Sequence, residues 1–471
     1  MPSRFLNLFK PIAKFIPEVS SPDRRVGFGE KLLWTGMAVV IYLIMSEVPL
    51  YGVARGPQDP YYYMRVIFAS TRGTLTELGI GPIVTAGLIL QLLAGSEIIT
   101  VDFTDPDDRA LFTSANKVFS IIMTIFMASV YILGGAYGSM SLEASISLFL
   151  QLISAGLILM LLDELVQKGW GIGSGISLFI VAGVARMIFW NCFSPIAGGD
   201  GKFFGAILAF FQSLLSGGGP LAALHRPENL PDMIGFISTV LVFLIVIFFE
   251  DIRIELPISY ARFRGFRTRY PVKLLYVSNI PVILSSALFA NIYLFSQILW
   301  SNFNQNNENF WLSLLGTYNA TSREPTGGLV FYVTAPRSID TILASTGGLV
   351  RAIVYVVLMV TLCILFAKVW IEVGGLGSAT TAKQLIDSGM QIPGFRRSVK
   401  PVERLLDRYV PTLTVLGGLI VGAIAAFADL LNVFGSGMGA LLAVGILYQL
   451  YQQIAQEQIM ETYPMLSRII G

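Results

Sequence analysis

Long apolar segments separated by polar connections dominate the pattern of this chain. A helix of about 20 apolar residues crosses the hydrocarbon core of a bilayer. The centres of ten such segments are almost free of charge, as transmembrane helices require. The predicted spans, numbered in chain order, are residues 32–48, 74–96, 116–138, 144–162, 171–192, 234–249, 274–300, 349–371, 410–428 and 431–455. The pattern therefore predicts an all-α, polytopic membrane protein with ten transmembrane helices.

Lysine and arginine lie mainly in alternate connections, which predicts the orientation in the membrane. The N-terminus, the 2/3, 4/5, 6/7 and 8/9 connections and the C-terminus hold 23 of the 32 basic residues. Because cytoplasmic loops carry the excess of Lys and Arg, we expect this set, with both termini, in the cytoplasm. Arg186 and Arg351 lie near span ends, where long side chains reach the membrane surface.

Two halves of five spans each are separated by a long external connection. Many transport folds pair two such halves about an axis in the membrane plane. In the N-terminal segment, Phe9 and Ile12 lie among Arg4, Lys10 and Lys14, as in an amphipathic helix on a membrane surface. The predicted units are the cytoplasmic N-terminal segment (1–31), the N-terminal half (32–192), the external connection (193–233), the C-terminal half (234–456) with cytoplasmic loops at 250–273 and 372–409, and the cytoplasmic tail (457–471).

Composition argues against an enzyme. The chain is 54% hydrophobic and 13% charged, whereas soluble domains carry roughly 25% charged residues. Cys192 and Cys363 lie in different apolar segments, and the single histidine, His225, lies in a polar loop. These residues cannot build a metal cluster or a thiol–imidazole pair, so we expect no catalytic residue, metal or cofactor. The glycine-rich run 169–175 lacks the strand and spacing of a dinucleotide-binding fingerprint.

Three spans open with a glycine-rich break, at residues 79–82, 169–175 and 435–439. Such breaks release backbone groups that lipid cannot satisfy, so they belong where the chain faces protein or a water-filled cavity. After Pro82 about 14 apolar residues remain, or roughly 21 Å of helix, which is short for a full span. We therefore expect the preceding residues, near 61–73, to fold back inside the protein.

Aliphatic residues follow two of these breaks at helical spacing. Ile80 and Val84 are four residues apart, as are Ile176 and Ile180, so each pair can share one helix face. Such residues can line a pore, but they can equally face lipid or a neighbouring helix. A secondary transporter for a small solute is also built on broken helices. The spans lack the mid-membrane ionisable groups of an ion-coupled transporter.

The cytoplasmic loops 250–273 and 372–409 are rich in arginine and lysine and longer than a simple turn requires. A basic loop can be a topology signal and nothing more. It can also bind a phosphate-rich partner such as ribosomal RNA, in which case binding weakens with salt. A scaffold that docks ribosomes without conducting anything is therefore a third interpretation.

Five separated motifs, in order, resemble the SecY family, which supplies the large (alpha) subunit of the protein translocon. They are LGIGPIVTAG at 78–87, LLDEL at 161–165, GSGISLF at 173–179, YVSNIP at 276–281 and PGFRR at 393–397. The similarity runs along nearly the whole chain, and these motifs resemble the archaeal type most.

The resemblance implies two pseudo-symmetric halves around a central pore with an aliphatic ring at its waist. It also implies a plug near 61–73, a lateral gate between spans 2–3 and spans 7–8, and ribosome-binding loop tips. The implied ring is Ile80, Val84, Ile176, Ile180, Ile283 and Leu442. The implied plug residues are Tyr62, Arg65, Ile67 and Arg72, the gate residues Thr85, Met127 and Asn291, and the ribosome-binding residues Arg262, Arg264, Arg396 and Arg397.

The same resemblance implies the function and the partners. A SecY-type subunit translocates secretory polypeptides and releases membrane segments sideways into lipid. It assembles with a single-span gamma (SecE-type) subunit and a beta subunit, and it receives nascent chains from the ribosome. An archaeal-type chain is expected in the plasma membrane, and a eukaryotic one in the endoplasmic reticulum.

Overall fold

The computed structural model describes residues 9–13, 16–53, 69–96, 98–99, 101, 105–133, 137, 140–216, 224–226, 230–260, 267–277, 279–319, 324–336, 342, 346–387, 390–391 and 398–462. Within them, nine helices are long and apolar enough to cross a membrane, and span 2 is a shorter apolar helix. The helices are Phe28–Met45 (span 1), Gly81–Gly95 (span 2), Pro106–Leu133 (span 3), Leu142–Leu165 (span 4), Gly175–Phe193 (span 5), Met233–Asp251 (span 6), Ile280–Phe303 (span 7), Thr346–Val373 (span 8), Val399–Leu430 (span 9) and Gly437–Thr462 (span 10). This helical membrane fold confirms the predicted class and is consistent with ten spans.

Span 2 is short because its backbone breaks inside the protein. The helix has 15 residues and carries Pro82 in its first turn, where a missing N–H costs nothing. Before it, Thr74, Thr76 and Glu77 are buried. The Glu77 carboxylate accepts the Gly73 N–H. Residues 69–81, just before Pro82, are thus mostly buried in the protein. The rest of the segment predicted to fold back, 61–68, lies outside the described residues.

Two predicted span boundaries were wrong by about three turns of helix. Span 3 begins at Pro106 and ends at Leu133, and span 9 begins at Val399, where hydropathy predicted 116–138 and 410. The early turns of span 9 are amphipathic and extend beyond the apolar segment. Val402, Leu406 and Val410 are buried against the helix Ser378–Asp387. The 8/9 connection is therefore largely helical.

A small sheet in the 6/7 and 8/9 connections was not predicted. Strands β1 (Arg253–Tyr260) and β2 (Arg267–Lys273) form an antiparallel hairpin in the 6/7 connection. Strand β5 (Met390–Gln391), from the 8/9 connection, pairs with β1. The two basic loops are thus joined by backbone hydrogen bonds.

The 5/6 and 7/8 connections contain short elements. They are the helices Ala206–Leu215, Phe310–Leu315 and Leu329–Val333 and the strand pair β3 (Thr317–Tyr318) and β4 (Pro325–Gly327).

Ionic contacts fasten the N-terminal segment to the N-terminal half. Its one described helix is Lys10–Ala13, and Phe9 packs against Phe119 of span 3 at 5.3 Å between ring centroids. Glu18 contacts Lys168 and lies 3.3 Å from Lys117. The hydrogen bond from Lys168 and the charge of Lys117 hold the pKa of Glu18 below its usual value.

A buried aspartate at the end of span 4 caps the first turn of span 5. Asp163 Oδ1 accepts the Ile176 N–H at 2.9 Å and the Ser174 hydroxyl at 3.2 Å. The connecting turn needs positive φ at Gly169 and Gly173. A Cβ on Gly175 would lie 2.5 Å from Asp163 Cα, so this close approach requires glycine.

The C-terminal half has the same arrangement in the 9/10 connection, where an aspartate at the end of one span caps the next span. Asp429, at the end of span 9, accepts the Gly437 N–H at 2.7 Å. The Tyr355 hydroxyl donates to its second oxygen at 2.7 Å. A Cβ on Gly437 would overlap the Asp429 backbone. The 4/5 and 9/10 connections are five spans apart and so lie on opposite sides of the membrane, as an inverted repeat requires.

We predict that Asp163→Ala destabilises the folded protein, because it leaves the buried N–H of Ile176 without its acceptor. Loss of such a cap costs about 1–2 kcal/mol. The apparent Tm of the detergent-purified protein should fall by several degrees. The Tm of Asp163→Asn, which keeps one acceptor oxygen, should fall less. Equal Tm values for Asp163→Ala and wild type would refute the capping role.

Candidate functional site

The six residues of the implied ring lie at the beginnings of four helices. Ile80 immediately precedes span 2, and Val84 lies in its first turn. Ile176 and Ile180 lie in the first turns of span 5, Ile283 in that of span 7 and Leu442 in the second turn of span 10. Helices from both halves therefore contribute to the set.

All six side chains belong to one apolar cluster that contains residues of both halves. Ile80, Ile180 and Leu442 have 0% of their surface exposed. Val84, Ile176 and Ile283 are partly buried and pack against the same cluster. At the three buried positions the residues are sealed from solvent.

Close backbone contacts hold these helix beginnings in place. A Cβ on Gly445 of span 10 would overlap the side chain of Asn279, which immediately precedes span 7. A Cβ on Gly435 would lie 3.3 Å from Val184 of span 5. These glycines bring span 10 against spans 7 and 5. Sequence reasoning missed Asn279 and Gly445, although Asn279 lies inside the YVSNIP motif.

Asn291 and Thr85 of the implied lateral gate are hydrogen-bonded. Asn291 Nδ2 of span 7 donates to Thr85 Oγ1 of span 2 at 3.2 Å, and both residues are buried. Met127 of span 3 is 4% exposed and lies in the apolar cluster. Met127 therefore contributes no polar side chain to the contact between spans 2–3 and spans 7–8, which we call the seam.

Two apolar contacts continue the seam between the halves. The rings of Phe126 in span 3 and Phe295 in span 7 are 6.1 Å apart. A Cβ on Gly95 of span 2 would lie 2.6 Å from Val369 Cγ1 of span 8. Among the described residues, spans 2 and 3 thus meet spans 7 and 8 through apolar contacts and the Asn291–Thr85 hydrogen bond.

Most of the implied plug residues and loop-tip residues lie outside the described residues. These are Tyr62, Arg65, Ile67, Arg262, Arg264, Arg396 and Arg397. Arg72 is described and is partly buried. The structure therefore leaves the plug and ribosome assignments as predictions.

The described strands of the 6/7 loop carry basic residues paired with nearby polar groups. Arg269 pairs with Glu255, and Arg253 lies 3.0 Å from Asp251. The hydrogen bond to Asp251 raises the pKa of Arg253 above its usual value. Lys273 donates to Gln452 of span 10 at 2.8 Å, which anchors the base of the hairpin.

Comparison with known proteins matches this architecture. The SecY family model matches residues 74–451, and the model described as the plug domain of Sec61p matches residues 40–73. The protein translocase subunit SecY of Pyrococcus horikoshii is 43% identical over 470 residues, covering 97% of each chain.

Three solved structures are similar along nearly the whole chain. "The structure of a protein conducting channel" has a TM-score of 0.82 at 37% identity, covering 97% of this chain and 98% of that one. A structure of SecY whose plug domain is said to stabilise the closed state of the translocation channel and maintain a membrane seal has a TM-score of 0.79 at 37% identity, with the same coverage. Sec61 in the canine ribosome-channel complex from the endoplasmic reticulum has a TM-score of 0.79 at 35% identity, again with 97% and 98% coverage.

These matches confirm the resemblance noted in the sequence, including its archaeal character. Because the family model covers residues 74–451 and the Pyrococcus relative aligns from end to end, this chain belongs to the SecY family.

Proposed function

We propose that this chain is the central, pore-forming subunit of a protein-conducting channel. It passes secretory polypeptides across the membrane and releases membrane segments sideways into lipid. One observation carries the proposal: aliphatic residues at the beginnings of four helices, from both halves, lie in a single apolar cluster. The relatives described as SecY and as a protein-conducting channel support the same function.

The ring of Ile80, Val84, Ile176, Ile180, Ile283 and Leu442 is proposed as the seal. A narrow apolar collar excludes water and makes ions lose hydration, so it resists ion flow. Aliphatic side chains on the first turns of helices can part around an extended polypeptide and close behind it. The helix beginnings are held by Asp163 and Asp429 while the side chains move.

Energetics favour sideways release between spans 2–3 and spans 7–8. Breaking the Asn291–Thr85 hydrogen bond costs about 1 kcal/mol. A signal segment that places about ten methylene groups in lipid gains about 8 kcal/mol. The gain exceeds the cost of separating this polar pair, so a strongly apolar segment opens the seam and a polar one does not.

The ribosome is the proposed source of movement. A solved relative is Sec61 in a ribosome-channel complex, and the 6/7 and 8/9 loops of this chain are joined in one sheet. Arg262, Arg264, Arg396 and Arg397 are proposed to reach ribosomal RNA from this platform. Their contribution should weaken as salt rises.

The remaining partners and the location follow the family. We place the chain in the cell membrane with both termini cytoplasmic, beside a gamma (SecE-type) and a beta subunit. The distribution of basic residues and the archaeal relative support this assignment. The relatives and solved structures above do not support the small-solute transporter.

Site-specific crosslinking tests the function. A photoreactive residue at Ile176 or Ile283 should crosslink to a stalled nascent secretory chain. The same probe at Leu244, which is 64% exposed on span 6, should not. A solute transporter would give no crosslink at any site. A docking scaffold would bind ribosomes in a salt-dependent manner and also give none.

Replacing Ile80, Val84, Ile176 and Ile180 together with serine should raise the resting ion conductance in planar bilayers. Polar hydroxyls wet the collar and remove the dewetting barrier. Serine at four exposed positions of span 6, namely Val240, Leu241, Leu244 and Ile247, is the matched control and should leave conductance unchanged. Equal resting conductance in the ring variant and wild type would refute the assignment of these residues to the seal.

A further inference from the structure

Ala69, the first described residue after residue 53, has a strained backbone conformation. Ala69 has a φ of 48° and is 2% exposed. Residues with a Cβ rarely adopt this left-handed conformation, and it persists where surrounding contacts impose it. The neighbouring Ser70 is also buried. Contacts with spans 1 and 5 hold Ala69 in the core.

Tyr42 of span 1 holds the backbone of Ala69. Its hydroxyl donates to the Ala69 carbonyl oxygen at 2.9 Å, and its ring stacks on Phe179 of span 5 at 5.0 Å between centroids. Gly183 makes room for this contact. A Cβ on Gly183 would lie 3.1 Å from the Tyr42 hydroxyl and 3.6 Å from Ala69 Cα. Span 5 and Tyr42 thus hold Ala69 between them.

Arg186 of span 5 holds the next part of the same segment. Its Nη1 donates to Thr71 Oγ1 at 3.2 Å and to Ser46 Oγ at 3.0 Å. Its Nη2 lies 2.5 Å from Glu47 Oε1. The sequence explained Arg186 as a side chain that reaches the membrane surface from a span end. In the structure it also joins the end of span 1 to Thr71.

We propose that Tyr42 and Arg186 form a catch that holds residues 69–71 and keeps the channel sealed at rest. The inference rests on the proposed channel function. In a solved relative the plug domain is described as maintaining a membrane seal, and the plug-domain model matches residues 40–73 here, which include Tyr42 and the held segment. When a translocating chain breaks the two contacts, Ala69 leaves its strained conformation, which favours displacement of the segment.

The catch is tested by the accessibility of Ser70, which is 6% exposed. A Ser70→Cys variant is treated with a membrane-impermeant maleimide from the external side. Background is low because Cys192 and Cys363 are buried. In the Tyr42→Phe background, labelling should be about tenfold faster, since one buried hydrogen bond is lost while the ring stack remains. Tyr51→Phe, at a side chain that is 72% exposed, is the matched control and should label at the Ser70→Cys rate.

Arg186→Gln should also make maleimide labelling of the Ser70→Cys variant faster, because Thr71 loses a charged hydrogen-bond donor. Glu47→Gln removes the ion pair of Arg186 but leaves its contact with Thr71, and it should label near the Ser70→Cys rate. If Glu47→Gln labels as fast as Arg186→Gln, the ion pair rather than the Thr71 contact matters, and the role of Arg186 is overturned.

Resting conductance in planar bilayers gives a second readout for the same variants without the added cysteine. Tyr42→Phe and Arg186→Gln should leak more than wild type. The catch is refuted if Tyr42→Phe and Arg186→Gln leave both the labelling rate of Ser70→Cys and the resting conductance of wild type unchanged. If a translocating chain still opens the channel in that case, the proposed channel function stands. If no secretory chain opens wild type, the proposed function itself fails.

Discussion

A helix that begins inside a membrane protein exposes backbone N–H groups that lipid cannot satisfy. Two buried aspartates meet this constraint, Asp163 for span 5 and Asp429 for span 10. Because an acceptor is supplied in the core, these helices can begin at buried glycines, Gly175 and Gly437, and carry Ile176, Ile180 and Leu442 in their first two turns. The proposed seal therefore depends on these two caps as well as on the packing of the ring side chains.

The same constraint relates the two halves. In each, an aspartate ends one span, a glycine-rich turn follows, and a glycine lies so close to the aspartate that a Cβ would clash. The halves meet through an apolar cluster and, at the seam of spans 2–3 with spans 7–8, through the Asn291–Thr85 hydrogen bond. Helices whose first turns are capped, together with a seam that has few polar contacts, suit a channel in which spans 2–3 must separate from spans 7–8 without unfolding.

Hydropathy was sufficient for the fold class and the approximate position of the spans, because lipid selects apolar length directly, and the described helices are consistent with the predicted ten. It failed at the first turns of spans 3 and 9, which are amphipathic and precede the apolar segment. The joining of β1 to β5 connects residues more than a hundred positions apart, and no local pattern indicates it.

The site was predictable in part. The pairs Ile80/Val84 and Ile176/Ile180 follow from helical spacing, whereas Ile283 and Leu442 required the resemblance to the SecY family. The acceptor roles of Asp163 and Asp429 could not be predicted from sequence, since each depends on how the chain turns back over the following residues. The partners of Arg186 could not be predicted for the same reason, because they lie at residues 46, 47 and 71.

The central claim is that a polypeptide passes between the two halves through the apolar cluster. Cryo-electron microscopy of the membrane-embedded complex carrying a stalled secretory chain tests it most directly. The account predicts polypeptide density passing between Ile80, Ile180 and Leu442, with these side chains separated around it. Density that leaves the protein elsewhere, with the three residues still packed together, would contradict it.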